Sequence, residues 1–235
     1  MFDQHKISEF SQAFPKLADS EIPEWQQKLL LIRVIQVRVA SNQIAQAGDS
    51  FIRLATTSSI PDLFYSEMPL CWTVAQSDEA IRQAKVWIKQ ESDQAKLLGA
   101  SWLLLTQDSK LARSTLIELE KSQSLVIAQL AKAQLWRTSA VPDTMEQLPT
   151  WMAERDRMLI PLALGPTEFI MDRLMRIEQY DLAVGCAARI ATLHSDSYFR
   201  ARRALQTASQ ILKRSQRNDE AEKVQAWIKK LDGTD

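Results

Sequence analysis

Glycine usage limits the folding options of this chain more than any other feature. Five glycines stand among 235 residues, where average usage would supply about sixteen. Tight turns between strands need φ > 0, which glycine alone adopts without a steric penalty, so a strand-rich fold would be starved of turns. Helices joined by short connections need few. Hydrophobic residues make up 46% of the chain and charged residues 25%. That balance is ordinary for a globular protein and sufficient to bury a core without disulfides or metals. An all-α fold is expected.

Periodicity then places the helices. Ile7, Phe10 and Phe14 recur at i, i+3 and i+7 ahead of Pro15, the pattern of a short amphipathic helix that docks on the N-terminal end of the core. Pro23 opens a breaker-free run closed by Gly48, which predicts one helix over 24–47, apolar on nearly every side and buried between neighbours. The β-branched density over Val34–Val39 is a rival strand signal, outweighed by the length of the run. Residues 56–70 hold two prolines and a Ser/Thr cluster and are expected to form a loop, with Phe64 and Tyr65 tucked under it.

From residue 77 onward apolar stripes follow one another closely. Ala95, Leu98, Trp102 and Leu105 form one, Ala112, Leu116 and Leu119 the next, then Ile127, Leu130, Ala131 and Leu135. None of these helices is long enough to be stable alone, so each must bury its face on a neighbour. Pro142, Pro149, Pro161 and Pro166 interrupt the rhythm between 138 and 166, where only short helical pieces fit. The pattern resumes with Phe169, Ile170, Leu174 and Ile177, then Ala183, Cys186, Ala187, Ile190 and Leu193. Ala201, Leu205, Ala208 and Leu212 follow, and last Ala221, Val224, Ile228 and Leu231. The expected organisation is an N-terminal helical region over 1–75 and a run of stacked antiparallel hairpins over 76–235, with an irregular connection near 138–166.

Within that run three short motifs stand out: Asp78-Glu79-Ala80, Tyr180-Asp181-Leu182-Ala183 and Asp219-Glu220-Ala221. Leu98-Gly99 followed by Trp102 is a fourth. Together they resemble tetratricopeptide repeats, helix pairs of about 34 residues in which an alanine marks the close crossing of the second helix over the first. Ala183 and Ala221 lie 38 positions apart, about one helical turn more than that repeat. The likeness covers 77–235 and implies an α-solenoid whose face holds a protein or peptide. The sequence departs from the family where its terminal proline is missing after Leu193, and no carboxylate-clamp position can be carried over.

Residues with chemical potential are few. Twenty-nine basic and twenty-nine acidic side chains cancel, so no global field draws the chain toward nucleic acid or an anionic membrane. The run 29–40 is too short for a bilayer and carries Arg33 and Arg38, so no membrane partner is expected. Cys71 and Cys186 have no CxxC companion and suit a cytoplasmic setting. His5 and His194 are the histidines. His194 falls at a helix C-terminus, expected as a cap or surface residue, and Cys186 sits on an apolar stripe with no basic neighbour foreseen.

These observations nominate no catalytic residue, no cofactor and no metal ligand. The expected function is a non-enzymatic protein- or peptide-binding scaffold. Two alternatives attach to particular residues. Arg200, Arg203, Arg214 and Arg217 would fall within about a third of a helix circumference and could grip phosphates. Trp151, inside the proline-rich segment, could line a ligand pocket or an enzyme's groove. Nucleic acid is the less favoured partner, because no exposed aromatics interleave with those arginines.

Overall fold

A computed structural model describes residues 23–57, 60–73, 77–138 and 146–233. The expected docking helix around Ile7, Phe10 and Phe14, together with His5 and Pro142, lies outside the described residues. Among the described residues there are eleven α-helices, three short 3-10 segments and no strand, so the chain is all-α. The chain divides into two compact units. The first comprises 1–71 and 75–115, the second 72–74 and 116–235.

The first unit holds α1 (Glu24–Ala40), α2 (Ile44–Thr57), a 3-10 turn (Asp62–Glu67), α3 (Asp78–Trp87), α4 (Asp93–Leu103) and most of α5 (Ser109–Leu119). Ser77 and Ser92 cap α3 and α4 by accepting the amides of Ala80 and Ala95 at 3.2 Å, and acidic residues follow in each first turn, where the helix dipole favours them. Helix α1 packs on α2, α2 on α3 and α4, and α3 on α4. A Cβ placed on Gly99 of α4 would lie 2.5 Å from the Ile88 amide nitrogen and 2.8 Å from the Ala84 carbonyl oxygen, so these backbones are nearly in contact. The expected loop over 56–70 is shorter than foreseen because α2 runs on to Thr57. Tyr65 does fasten it, edge-on to Phe51 at 5.6 Å and hydrogen-bonded by the Gln94 amide at 3.0 Å.

The single helix expected over 24–47 is in fact two. Ser41–Gln43 turn the chain, with Asn42 at φ 59°; asparagine tolerates the left-handed region better than most residues. Gly48 is therefore a position inside α2 and no stop signal. Its missing side chain leaves room for the Trp87 ring and Leu98, and the Trp87 indole donates to Asp49 Oδ1 at 2.7 Å.

The second unit holds α6 (Leu125–Leu135), a 3-10 turn (Trp136–Thr138), α7 (Leu148–Asp156), a 3-10 turn (Ile160–Ala163), α8 (Leu164–Arg176), α9 (Tyr180–Leu193), α10 (Tyr198–Arg214) and α11 (Asn218–Leu231). Short pieces occupy the proline-rich stretch, as its sequence requires. Pro149, Pro161 and Pro166 all fall in first turns, where no intrahelical partner is lost. From α8 to α11 each helix packs on the next, through a core rich in small residues: Ala187, Ala201, Ala204 and Ala208 with Leu164 and Ile190, then Ala191, Leu205 and Ile228.

One turn geometry recurs three times. Asn42 between α1 and α2, Glu178 between α8 and α9, and Gln216 between α10 and α11 have φ of 59°, 61° and 59°. In each case the next amide reaches back five residues: Gln43 to the Arg38 carbonyl at 2.8 Å, Gln179 to Leu174 at 2.8 Å and Arg217 to Leu212 at 2.9 Å. This is Schellman closure without glycine. Five residues beyond each left-handed position stands an alanine with no appreciable exposure, Ala47, Ala183 and Ala221. The turn thus fixes the phase at which the second helix meets the first, and alanine is what fits there.

Two substitutions read this geometry out in urea denaturation. Gln216→Gly should relieve the left-handed strain and stabilise the chain by about 1 kcal/mol. Gly99→Ala should push α4 off α3 and cost about 1–3 kcal/mol. A lowered midpoint for the first, or an unchanged one for the second, would contradict the assigned packing.

Candidate protein-binding face

Side chains of α6 and α7 meet in a short ladder that runs in opposite directions along the two segments. Leu125, Gln129, Lys132 and Trp136 follow at i, i+4, i+7 and i+11 along α6 and its 3-10 extension, so they share one side. Opposite them, Trp151 stacks on Trp136 with centroids 6.0 Å apart and an interplanar angle of 15°. The Trp136 indole donates to Glu154 Oε2 at 3.0 Å, Lys132 pairs with Glu154 Oε1 at 2.8 Å, and the Leu159 amide donates to Gln129 Oε1 at 3.5 Å. Phe169 of α8 closes the aromatic group, 5.3 Å from Trp151, and carries the Arg173 guanidinium 5.1 Å above its ring.

At the open end of this ladder the polar partners give out and aliphatic side chains remain. Leu125 is 59% exposed, Ile160 57% and Leu159 37%. Leu125 lies one turn before Gln129, and Gln129 accepts the Leu159 amide, which places Leu125 and Leu159 toward the same end of the ladder. Aliphatic side chains clustered in solvent and rimmed by polar groups are the signature of a surface that associates.

The structure distributes the sequence-nominated residues unevenly. Trp151 is half-buried among aromatic rings; it holds α7 against α6 and α8, and its ring is taken up by packing. The four arginines do not lie on one helix. Arg217 sits beyond the α10–α11 turn, directly ahead of α11, where it pairs with Asp181 and with Glu220; Gln216's left-handed turn ended the helix that the stripe assumed. Arg200 reaches from α10 to α8 and donates its Nε to Glu168 Oε1 at 2.8 Å. Arg203 and Arg214 are exposed on α10, about 16 Å apart along its axis.

A polar cluster that the sequence did not signal lies inside the second unit. Arg155, 4% exposed, points Nη1 at Cys186 Sγ, 3.9 Å away, and donates from Nε to Asp156 at 3.1 Å. Arg189 of α9 joins the same carboxylate at 3.1 Å. Cys186 therefore has basic neighbours, contrary to expectation, yet burial outweighs them and pushes its thiol up. A protonated, enclosed thiol is a poor nucleophile. His194 is buried rather than exposed, and burial, then the nearby Arg200, hold its pKa down to about 4. It is thus neutral and does not meet the α9 dipole as a cation. Arg189 stands three residues beyond Cys186 on α9, a helical spacing that was available to signal it; Arg155 belongs to α7, and only packing brings it to them.

Among the described residues no group of histidine, cysteine and acidic side chains could hold a metal ion, and no helix is long and apolar enough to cross a membrane. No protein-family model, curated protein or solved structure matches the chain.

Residues that hold the face and residues that present it should separate by stability. Trp151→Ala should cost about 2 kcal/mol, from lost stacking and partial burial, whereas Leu125→Ala should change stability by less than about 0.5 kcal/mol. Chemical denaturation of both variants checks this. Cys186 should also resist alkylation in the native protein and react on unfolding, which thiol counting under both conditions measures.

Proposed function

We propose that this chain is a non-enzymatic protein- or peptide-binding module in which tetratricopeptide-like hairpins present an aliphatic face. The observation that carries the reading is the exposure of Leu125, Leu159 and Ile160 beside the side-chain ladder of α6 and α7. A surface of this kind suits an apolar anchor from another protein, with Gln129, Lys132 and Glu154 as its polar rim.

The repeat character rests on three independent likenesses. The α8–α9 and α10–α11 hairpins share a turn geometry, with Glu178 and Gln216 38 positions apart. Each turn is followed at the same distance by a buried alanine. Ion pairs also join helices two apart in order: Arg200 of α10 to Glu168 of α8 across 32 positions, and Arg217 ahead of α11 to Asp181 of α9 across 36. These separations lie on either side of the 34-residue period that the sequence resemblance implies.

Engagement of Arg200 and Arg217 in those pairs favours the protein-binding reading over phosphate binding, which would be left to Arg203 and Arg214. A binding comparison separates the two. A Leu125→Asp/Ile160→Asp variant should keep its denaturation midpoint and lose at least tenfold in affinity for a partner recovered with the wild type, about 1.4 kcal/mol. An Arg203→Gln/Arg214→Gln variant should bind that partner as the wild type does. Unchanged binding by the aspartate variant would remove the aliphatic face from the reading. Salt-dependent RNA binding lost in the glutamine variant would install the nucleic-acid alternative.

A further inference from the structure

His194 ends α9, its amide donating to the Ile190 carbonyl at 2.9 Å and its carbonyl accepting the Ser197 amide at 3.0 Å. The residue is 6% exposed, and Nε2 is enclosed without a hydrogen-bond partner. Charged groups face it from every element of the surrounding layer: Arg189 from α9 itself, Arg200 from α10, Glu168 from α8 and Asp196 from the connection that follows. Both arginines are already committed, Arg200 to Glu168 and Arg189 to Asp156. The neutral imidazole therefore feels two cations, one held by Glu168 and the other by Asp156, with Asp196 as a further negative charge.

We propose that His194 is an acid-operated latch on the α8–α9–α10 layer: the neutral ring lets the three helices close, and an added proton loosens them. Protonation would place a third cation beside two arginines in a site shielded from water, where like charges repel strongly. The nearest relief is to draw Glu168 toward the imidazolium, at the expense of the Arg200–Glu168 brace that ties α10 to α8 across α9. Outward movement of the charged ring gives up its burial but breaks no hydrogen bond at Nε2. Its depressed affinity for protons fits this arrangement, and burial is the main cause. The sign follows directly. An opened or unfolded chain takes up the proton below about pH 6.5, the closed layer only near 4, so closure is fully favoured above about pH 6.5 and weakens as pH falls toward 4. At pH 5 ordinary carboxylates are still largely ionised, which isolates the histidine.

Amide hydrogen exchange at pH 7 and pH 5, corrected for intrinsic rates, tests the latch in the full chain. In the wild type, peptides from α8, α9 and α10 should lose protection on the order of tenfold between the two pH values, while peptides from α1 to α4 serve as the internal reference and change little. The His194→Gln variant, which cannot take the proton, should show no such selective loss. Equal acid responses in both proteins, or a loss spread evenly over α1 to α4, would overturn the proposal. Should the variant fail to fold, a proton NMR titration of the wild type decides. The chain has two histidines, assigned with a His5→Gln variant. A His194 midpoint well below 6.5 supports the latch, and one at or above 6.5 overturns it.

Discussion

Close approach of helix backbones is the condition on which the rest of this fold depends. The chain has few long apolar stretches and many short helices, so stability must come from neighbours packed tightly enough that modest side chains fill the gap. Ala84 and Ile88 meet Gly99 almost backbone to backbone in the first unit. In the second, alanines at 187, 201, 204 and 208 line the core between helices. Such packing is sensitive to phase: a helix rotated by one residue would present a larger side chain and be forced outward. The recurring left-handed turn supplies that phase. It closes the preceding helix through its amide–carbonyl pair and delivers an alanine to the crossing point one and a half turns later.

Glycine scarcity is consistent with this use of turns. A connection of the Schellman kind ordinarily takes glycine at its left-handed residue, yet Asn42, Glu178 and Gln216 occupy it here. Each costs on the order of 1 kcal/mol relative to glycine. Burial of the adjoining helices must outweigh that strain. Three of the five glycines stand where a side chain would collide: Gly48 under Trp87, Gly99 under α3, and Gly165 beneath the Trp72 indole, whereas Gly185 has open space around it and Gly233 takes the left-handed geometry after α11 at φ 67°.

Features governed by local spacing were legible in the sequence, and features governed by long-range pairing were not. Helical class, most of the stripes over 95–135 and 169–231, and the buried Ala183 and Ala221 follow from periodicity, which reports which side of a helix meets the core; Leu105, beyond the end of α4, and Leu193 are exposed instead, and the tucked Tyr65 followed from its place in a proline-rich loop. The break at Asn42 escaped because a left-handed asparagine carries a weak signal beside so long an apolar run. The arginine stripe failed for a related reason: angular bookkeeping assumes that one helix continues, and Gln216 ends it before Arg217. Arg155, Asp156 and Arg189 could not be matched in advance, since their pairing depends on how α7 and α9 pack. Of the nominated site, Trp151 was expected to line a groove, and its ring packs against Trp136 and Phe169. Leu125, Leu159 and Ile160 carry no motif; exposed aliphatics become visible only once their neighbours are known to be buried.

Rigidity in the second unit bears on what its exposed aliphatics can do. A surface that must order itself on binding gives up part of its interaction free energy, whereas one already fixed keeps it. The α6–α7 ladder holds its helices by unlike interactions in sequence: stacked indoles at one end, an ion pair and a shared carboxylate in the middle, and an amide contact near the open end. Stacking and burial resist salt, so the geometry of the face does not hinge on the exposed Lys132–Glu154 pair, which is worth little by itself. The arginine braces between α8 and α10 and between α9 and α11 act differently. They lie across helices that are already packed and fix their rotation more than their association. The aliphatic face beside the α6–α7 ladder and the arginine braces among α8–α11 are thus supported by separate forces. Acid can loosen the second without dissolving the aromatic packing that shapes the first.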